Sequence, residues 1–207
     1  YDAGTNFSDT GDWGVLAGDG EGVDGKIVFA AQPAGAGWQH IWSIRPDGTG
    51  LVDLSADLNW GACAPAISPD GQHIAFRNAA SNQLWVMNSD GSAKHLVLEV
   101  SPGGLVPGLS WLNNSTIVFA QRYSAANTEV RCVNIDGSNN TVLVARPLLD
   151  QLTGYWPRVA RGGNLIASIW QVGEWSPTQD VYLTDGAGQN ARVLYRDSSD
   201  DNLDMCP

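Results

Sequence analysis

Two independent sequence markers recur along this 207-residue chain at nearly the same interval, and that recurrence limits the folds open to it more than any other feature. Asp-Gly pairs following an apolar run fall at Asp47-Gly48, Asp90-Gly91, Asp136-Gly137 and Asp185-Gly186, spaced by 43, 46 and 49 residues. A second marker, "KIVFA", "HIAFR", "TIVFA" and "LIASI", carries central isoleucines Ile27, Ile74, Ile117 and Ile166, spaced by 47, 43 and 49. Pro65 and Pro157 each stand nine residues before the isoleucine of their unit. A period of roughly 40 to 50 residues is the signature of a repeat architecture in which each unit is one supersecondary element.

Within a unit the pattern is β throughout. Ser68-Pro69-Asp70-Gly71 suits a tight turn, with proline at its second position and glycine at its last. "HIAFRN" and "QLWVMNS" are β-rich runs joined by the small polar connection "AASN". Asp90-Gly91 predicts the next hairpin, where glycine supplies the positive φ that such turns demand. "AKHLVLEV" then completes a fourth strand. No segment shows a helical period of 3.6. The expectation is an all-β chain of about four four-stranded antiparallel blades over residues 26–207, a β-propeller. Residues 1–25 form an acidic, glycine-rich segment in which Trp13 to Gly18 could supply a closing strand.

At these residues the sequence resembles the TolB-like β-propeller repeat. "PAISPDGQHIAF" followed by "QLWVMNSDGS" matches its pattern nearly position by position, and "HIWSIRPDGTG" matches the second half. The third unit replaces Pro-Asp-Gly by Leu112-Asn113-Asn114. The fourth, "RVARGGNLIASI" and "VYLTDGAG", departs furthest. The resemblance implies a propeller, a fold that hosts enzymes, interaction partners and gating domains alike. It also implies an extracytoplasmic location, periplasmic or secreted. Such propellers usually have six or more blades. With four here and Pro207 standing where another unit would begin, the expectation is a closed four-blade ring, an open set of blades completed by another chain, or part of a longer polypeptide. Tyr1 in place of Met fits a processed or excised chain.

The net charge of −11 and the lack of any Lys/Arg cluster weigh against nucleic acid or an anionic membrane as partner, since both need a basic face. No apolar run approaches the roughly 20 residues that span a bilayer. Cys63, Cys132 and Cys206 form no C-x-x-C pair, which leaves at most one internal disulfide, Cys63 with Cys206 being one option.

Repetition in every unit is what a structural role requires, so Asp47, Asp70, Asp90, Asp136 and Asp185 are read as turn carboxylates bonding backbone N–H groups. His40, His73 and His95 are scattered without metal-site spacing. No G-x-S-x-G elbow is present. The reading therefore assigns no catalytic residue, metal ligand or cofactor and leans against an enzyme. Ca²⁺ at the acidic loops around Asp9, Asp12, Asp19, Glu21 and Asp24, or Asp197, Asp200, Asp201 and Asp204, is a weaker option, because neither loop matches a calcium motif. Trp42, Trp85 and Tyr182 align within the third strand and are assigned to packing between blades. Trp38, Trp60 and Trp175 stand in loop contexts and are the candidates for an exposed interaction surface. The favoured function is a non-catalytic protein-interaction or assembly module that uses these tryptophans and its strand edges. A carbohydrate-binding or polysaccharide-degrading propeller, or the propeller of a larger peptidase-like hydrolase, are the alternatives.

Overall fold

The computed structural model describes residues 25–101, 103–124, 127–144, 152–160, 162–172 and 179–196. Every element among them is a strand. The strands form four antiparallel sheets, each in chain order, the connections within a sheet being too short for the crossover that a parallel pair needs. The first sheet contains β1 (Ile27–Ala31), β2 (His40–Ile44) and β3 (Val52–Asp53). The second contains β4 (Ala62–Ile67), β5 (His73–Asn78), β6 (Gln83–Asn88) and β7 (His95–Glu99). The third contains β8 (Gly104–Asn113), β9 (Thr116–Ser124), β10 (Asn127–Asn134) and β11 (Thr141–Val144). The fourth contains β12 (Leu152–Val159), β13 (Leu165–Val172), β14 (Gln179–Asp185) and β15 (Arg192–Arg196). The first two sheets belong to one compact unit and the last two to another.

Three sheets thus have the expected four strands and the first has three among the described residues. The segment around Trp13 to Gly18 lies outside them. In each sheet the repeated isoleucine stands on the strand that carries "IVF", "IAF" or, in the fourth, "IAS". In the second and third sheets both faces of this strand are covered, so it reads as a continuous apolar run rather than an alternating one. In β5, Ile74, Ala75 and Phe76 are all fully buried. The register Ile74↔Met87 and Phe76↔Trp85 puts one face of the second sheet against the first. There Val28, Ala30, Ile41 and Leu54 join Ala62, Cys63, Ile74, Phe76 and Met87 in one core. In the other unit Val118, Val130 and Val144 pack with Tyr182, in agreement with the role given to that position. Trp42 is likewise buried, its Nε1 donating to the Ala31 carbonyl at 3.2 Å.

The outer hairpin of every sheet is the same five-residue turn. The N–H of the first residue donates to the carbonyl of the fifth, and the N–H of the fourth donates to the carbonyl of the first: Asn88 N–H to Ser92 O at 2.9 Å and Gly91 N–H to Asn88 O at 2.9 Å in the second sheet, Asn134 with Ser138 and Gly137 in the third. Gly48, Gly91 and Gly137 hold φ of 81°, 87° and 84°, as the turn requires. The fourth sheet departs from the expected alignment. Its equivalent bonds run from Asp185 N–H to Gln189 O and from Gly188 N–H to Asp185 O, so the turn glycine is Gly188, at φ 73°, and not Gly186. Gly186 instead matches Ser89 and Ile135, each donating to a carbonyl of the sheet's other turn: Gln72, Ser115 and Asn164 respectively. The Asp-Gly pair misled because the turn here reads Asp-Gly-Ala-Gly, with its aspartate moved to the first position.

The leading strands share a second irregularity. Register shifts interrupt β4, β8 and β12, and within them Ala64, Gly108 and Trp156 hold φ of 51°, 101° and 45°. These are bulges that add twist to the strand, and only the third sheet uses glycine for them.

Candidate interaction surface

Antiparallel order sorts the sequence features onto two ends of each sheet. The turns that follow β2, β4 and β6 share one end, and the loops that precede β2, β4 and β6 share the other. The aspartates gather at the turn end. Asp47 Oδ1 accepts from the Thr49 N–H at 2.9 Å, Asp70 Oδ1 from the Gln72 N–H at 3.1 Å, and Asp90 Oδ1 from the Ser92 N–H at 2.9 Å. Asp136 Oδ1 accepts from both the N–H and the hydroxyl of Ser138, at 2.9 and 2.6 Å. Asp185 takes the N–H groups of Ala187 and Gln189 at 3.0 and 2.7 Å. These donors favour the ionised form and hold the carboxyls below their ordinary range: first the Thr49 N–H for Asp47, the Ser92 hydroxyl for Asp90, the Ser138 hydroxyl for Asp136 and the Gln189 N–H for Asp185. In each of them Oδ1 bonds within the turn that contains it.

The opposite end of the first unit is built from three connections. Ala62 N–H donates to Gln39 O at 2.9 Å, and Ala79 N–H to Gly61 O at 2.7 Å, which ties the β1–β2, β3–β4 and β5–β6 connections together. Gly61 is closely packed there: a Cβ would lie 3.0 Å from the Trp38 Cβ and 3.2 Å from that of Ala79. Trp38 is 41% exposed on this platform. Trp60, expected to be exposed, is half-buried: its ring stacks on Phe76 at 6.2 Å and meets Trp85 at 5.2 Å. The sequence placed it in a loop correctly, but could not show that the loop folds back over the core. Trp175 lies outside the described residues, as do both acidic loops and Cys206.

His40 stands at this end too, apart from His73 and His95 at the turn end. Its Nδ1 lies 2.6 Å from Asp53 Oδ2, both side chains being mostly buried, while Asp53 Oδ1 accepts from the Ser55 N–H at 3.0 Å. Asp53 was not singled out in the sequence, because only the pairing of β2 with β3 brings it to His40. The pair fixes the short outer strand of the first sheet. Among the described residues no three His, Cys, Asp or Glu side chains converge on a common point. No helix among them is long and apolar enough to cross a membrane.

Four sheets of short antiparallel strands, each in chain order and packed through apolar faces, define an all-β propeller-like fold. It is the fold of the TolB-like β-propellers. A TolB structure from Agrobacterium tumefaciens superposes with a TM-score of 0.68 at 15% identity, over 84% of this chain and 62% of its own. A chain of a nidogen/laminin complex gives 0.63 at 13% identity, over 83% of this chain and 61% of its own. A prolyl endopeptidase gives 0.62 at 16% identity, over 86% of this chain and 29% of its own. The chain therefore spans about three fifths of the TolB and nidogen/laminin chains and under a third of the peptidase. No family model and no curated protein matches the sequence.

Proposed function

We propose that this chain is a non-catalytic, extracytoplasmic β-propeller module that binds a protein partner on the loop end of its first unit. The observation that carries the reading is Trp38, 41% exposed on a platform packed at Gly61 and Ala79, at the end where Trp60 covers Phe76 and Trp85. An exposed indole on a rigid, well-packed base loses little side-chain entropy on binding and offers large apolar area, the combination found at interface hot spots. The His40–Asp53 pair holds the outer strand of the first sheet, and Asp47 and Asp136 bond within their own turns. The structural likeness to a chain of a nidogen/laminin complex supports a binding role, whereas the likeness to an endopeptidase shows that the fold also serves enzymes. Location outside the cytoplasm is the implication of the TolB-like repeat.

The test is affinity capture from an extract of the native cells with the wild-type chain and with Trp38→Ala, read by mass spectrometry. The expected result is at least one protein retained by the wild type and lost with the variant. Capture that does not depend on Trp38 would overturn the reading. Saturable quenching of tryptophan fluorescence by oligosaccharides, lost in Trp38→Ala, would replace a protein partner by a carbohydrate.

A further inference from the structure

Within the second unit one residue on a leading strand breaks the pattern of the repeat. Arg158 of β12 pairs with Ala167, the residue after the repeated isoleucine. The equivalent positions, opposite Ala75 and Val118, hold Ala66 and Ser110. Small residues at both show that the sheet itself needs no long side chain at this point, so the arginine calls for a reason of its own.

The neighbouring leading strand fixes where that side chain goes. Val159 N–H donates to Ser110 Oγ at 3.0 Å, which ties β12 to β8. Arg158 Nη1 then reaches the Leu109 carbonyl at 3.4 Å, a long bond made through a single nitrogen. Nε and Nη2 form the edge of the guanidinium that pairs with both oxygens of a carboxylate, and they have no bond among the described residues. The side chain is half-buried and stays charged. Desolvation holds it below the ordinary arginine range, and no charged group among the described residues offsets that cost.

Trp156, two residues earlier, holds φ of 45° at the bulge of β12, a left-handed backbone that is unfavourable for so bulky a residue. Bulges re-aim the side chains around them. Here the Trp156 Cδ1 lies 2.8 Å from where a Cβ on Gly108 would be, so the indole packs over Gly108, beside the Leu109 carbonyl that holds the guanidinium. A strained aromatic residue and a half-buried cation thus meet adjacent residues of β8. Strain of this kind collects where ligands bind.

We propose that Arg158, with the Trp156 ring beside it, forms a binding site for the carboxylate group of an organic acid, taken bidentate on Nε and Nη2. The carboxylate supplies the charge that the buried guanidinium lacks, and its two oxygens match the edge left over by the bond to Leu109. The site lies in the unit that does not contain Trp38 and goes beyond the protein-binding reading given above.

Two acids of different origin test it on the 207-residue chain, each beside a neutral counterpart: N-acetylphenylalanine with its amide, and glucuronate with glucose. Saturation-transfer NMR reads the binding. The expected result is that at least one acid binds better than its neutral counterpart, and the acid preferred tells a peptide terminus from a sugar acid as the source. Arg158→Ser copies the residue of the third sheet and weakens that acid about tenfold or more, as loss of a hydrogen bond to a charged group does. Arg158→Lys keeps the charge without the two-pronged edge, and its affinity falls between the two. Trp38→Ala leaves the affinity unchanged, so this site and the protein-binding surface are read separately. Near-ultraviolet circular dichroism confirms the fold of each variant, and the lysine variant alone carries the test if Arg158→Ser does not fold. The proposal is overturned if neither acid is preferred over its neutral counterpart, or if the preference survives undiminished in a folded Arg158 variant.

Discussion

The rings of Trp60 and Phe76 stack within 16° of parallel at 6.2 Å, and through this pair a loop residue becomes part of the core beneath it. Trp60→Ala removes that lid together with the contact to Trp85. A fully buried tryptophan costs about 3–5 kcal/mol on truncation to alanine, and the half-buried position here lowers the expectation to roughly 2–3 kcal/mol. Trp38→Ala, on the exposed side of the same platform, should stay within about 0.5 kcal/mol of the wild type. Urea denaturation of the two variants checks the order. Equal midpoints would show that Trp60 is not part of the core.

The shift of the fourth hairpin by two residues makes a prediction that contradicts the visible Asp-Gly pattern. Gly188→Ala adds a Cβ at 1.7 Å from the Leu143 carbonyl oxygen as well as left-handed strain, so it should destabilise far more than Gly48→Ala, which meets only the strain of about 1–2 kcal/mol. Gly186→Ala should be as harmful as Gly188→Ala, but through collision with the Gly163 carbonyl alone. Thermal unfolding of the three variants would show the order, and a mild Gly188→Ala would refute the register.

At the bulge of β4, Ala64 holds φ of 51° where the equivalent residue of β8 is Gly108. Left-handed backbone costs a non-glycine residue about 1–2 kcal/mol, and glycine returns part of it through its more flexible unfolded chain. Ala64→Gly should therefore raise stability by up to about 1 kcal/mol. An unchanged or lower denaturation midpoint would mean that the alanine methyl contributes packing that outweighs the strain.

The turn carboxylates give acid sensitivity a definite sign. Asp47, Asp90, Asp136 and Asp185 are held below an ordinary value of 3.8 by their turn donors. A folded-state value below the unfolded one contributes stability that is present above the unfolded value and lost as pH falls through the folded one. Stability should thus decline from about pH 4 downward. Asp136→Asn keeps an acceptor in the turn but removes one titration, so its stability should vary less with pH in that range. Acid titration followed by near-ultraviolet circular dichroism tests this, and parallel curves for variant and wild type would exclude the turn carboxylate as a source.

The sequence made the repeat legible because turn chemistry is local. Asp before Gly, and Pro at the second position of Ser68-Pro69-Asp70-Gly71, declare a hairpin without reference to the rest of the chain. Strand count in the three complete sheets followed from the same signals. What it hid depends on pairing across distance. The closeness of His40 to Asp53, the burial of Trp60 and the contact of Gly188 with Leu143 arise from register and from which sheet lies next, and no local pattern encodes them. The misplaced Gly186 failed for a related reason: two glycines two residues apart are locally equivalent, and only the carbonyl each one faces tells them apart.

The outer hairpins have the same length in all four sheets, Arg45 to Thr49, Asn88 to Ser92, Asn134 to Ser138 and Asp185 to Gln189, and in both units one of them fits against the backbone of the preceding sheet, at Leu54 or Leu143. An added residue there would push a turn into its neighbour. The opposite ends carry connections of unequal length, eight residues between β1 and β2 but four between β5 and β6. Insertions and grafted loops are therefore better accommodated at the end that carries Trp38 than at the turn end, so that specificity can be rewritten at the loop end of a sheet while the joints between sheets keep a fixed gauge.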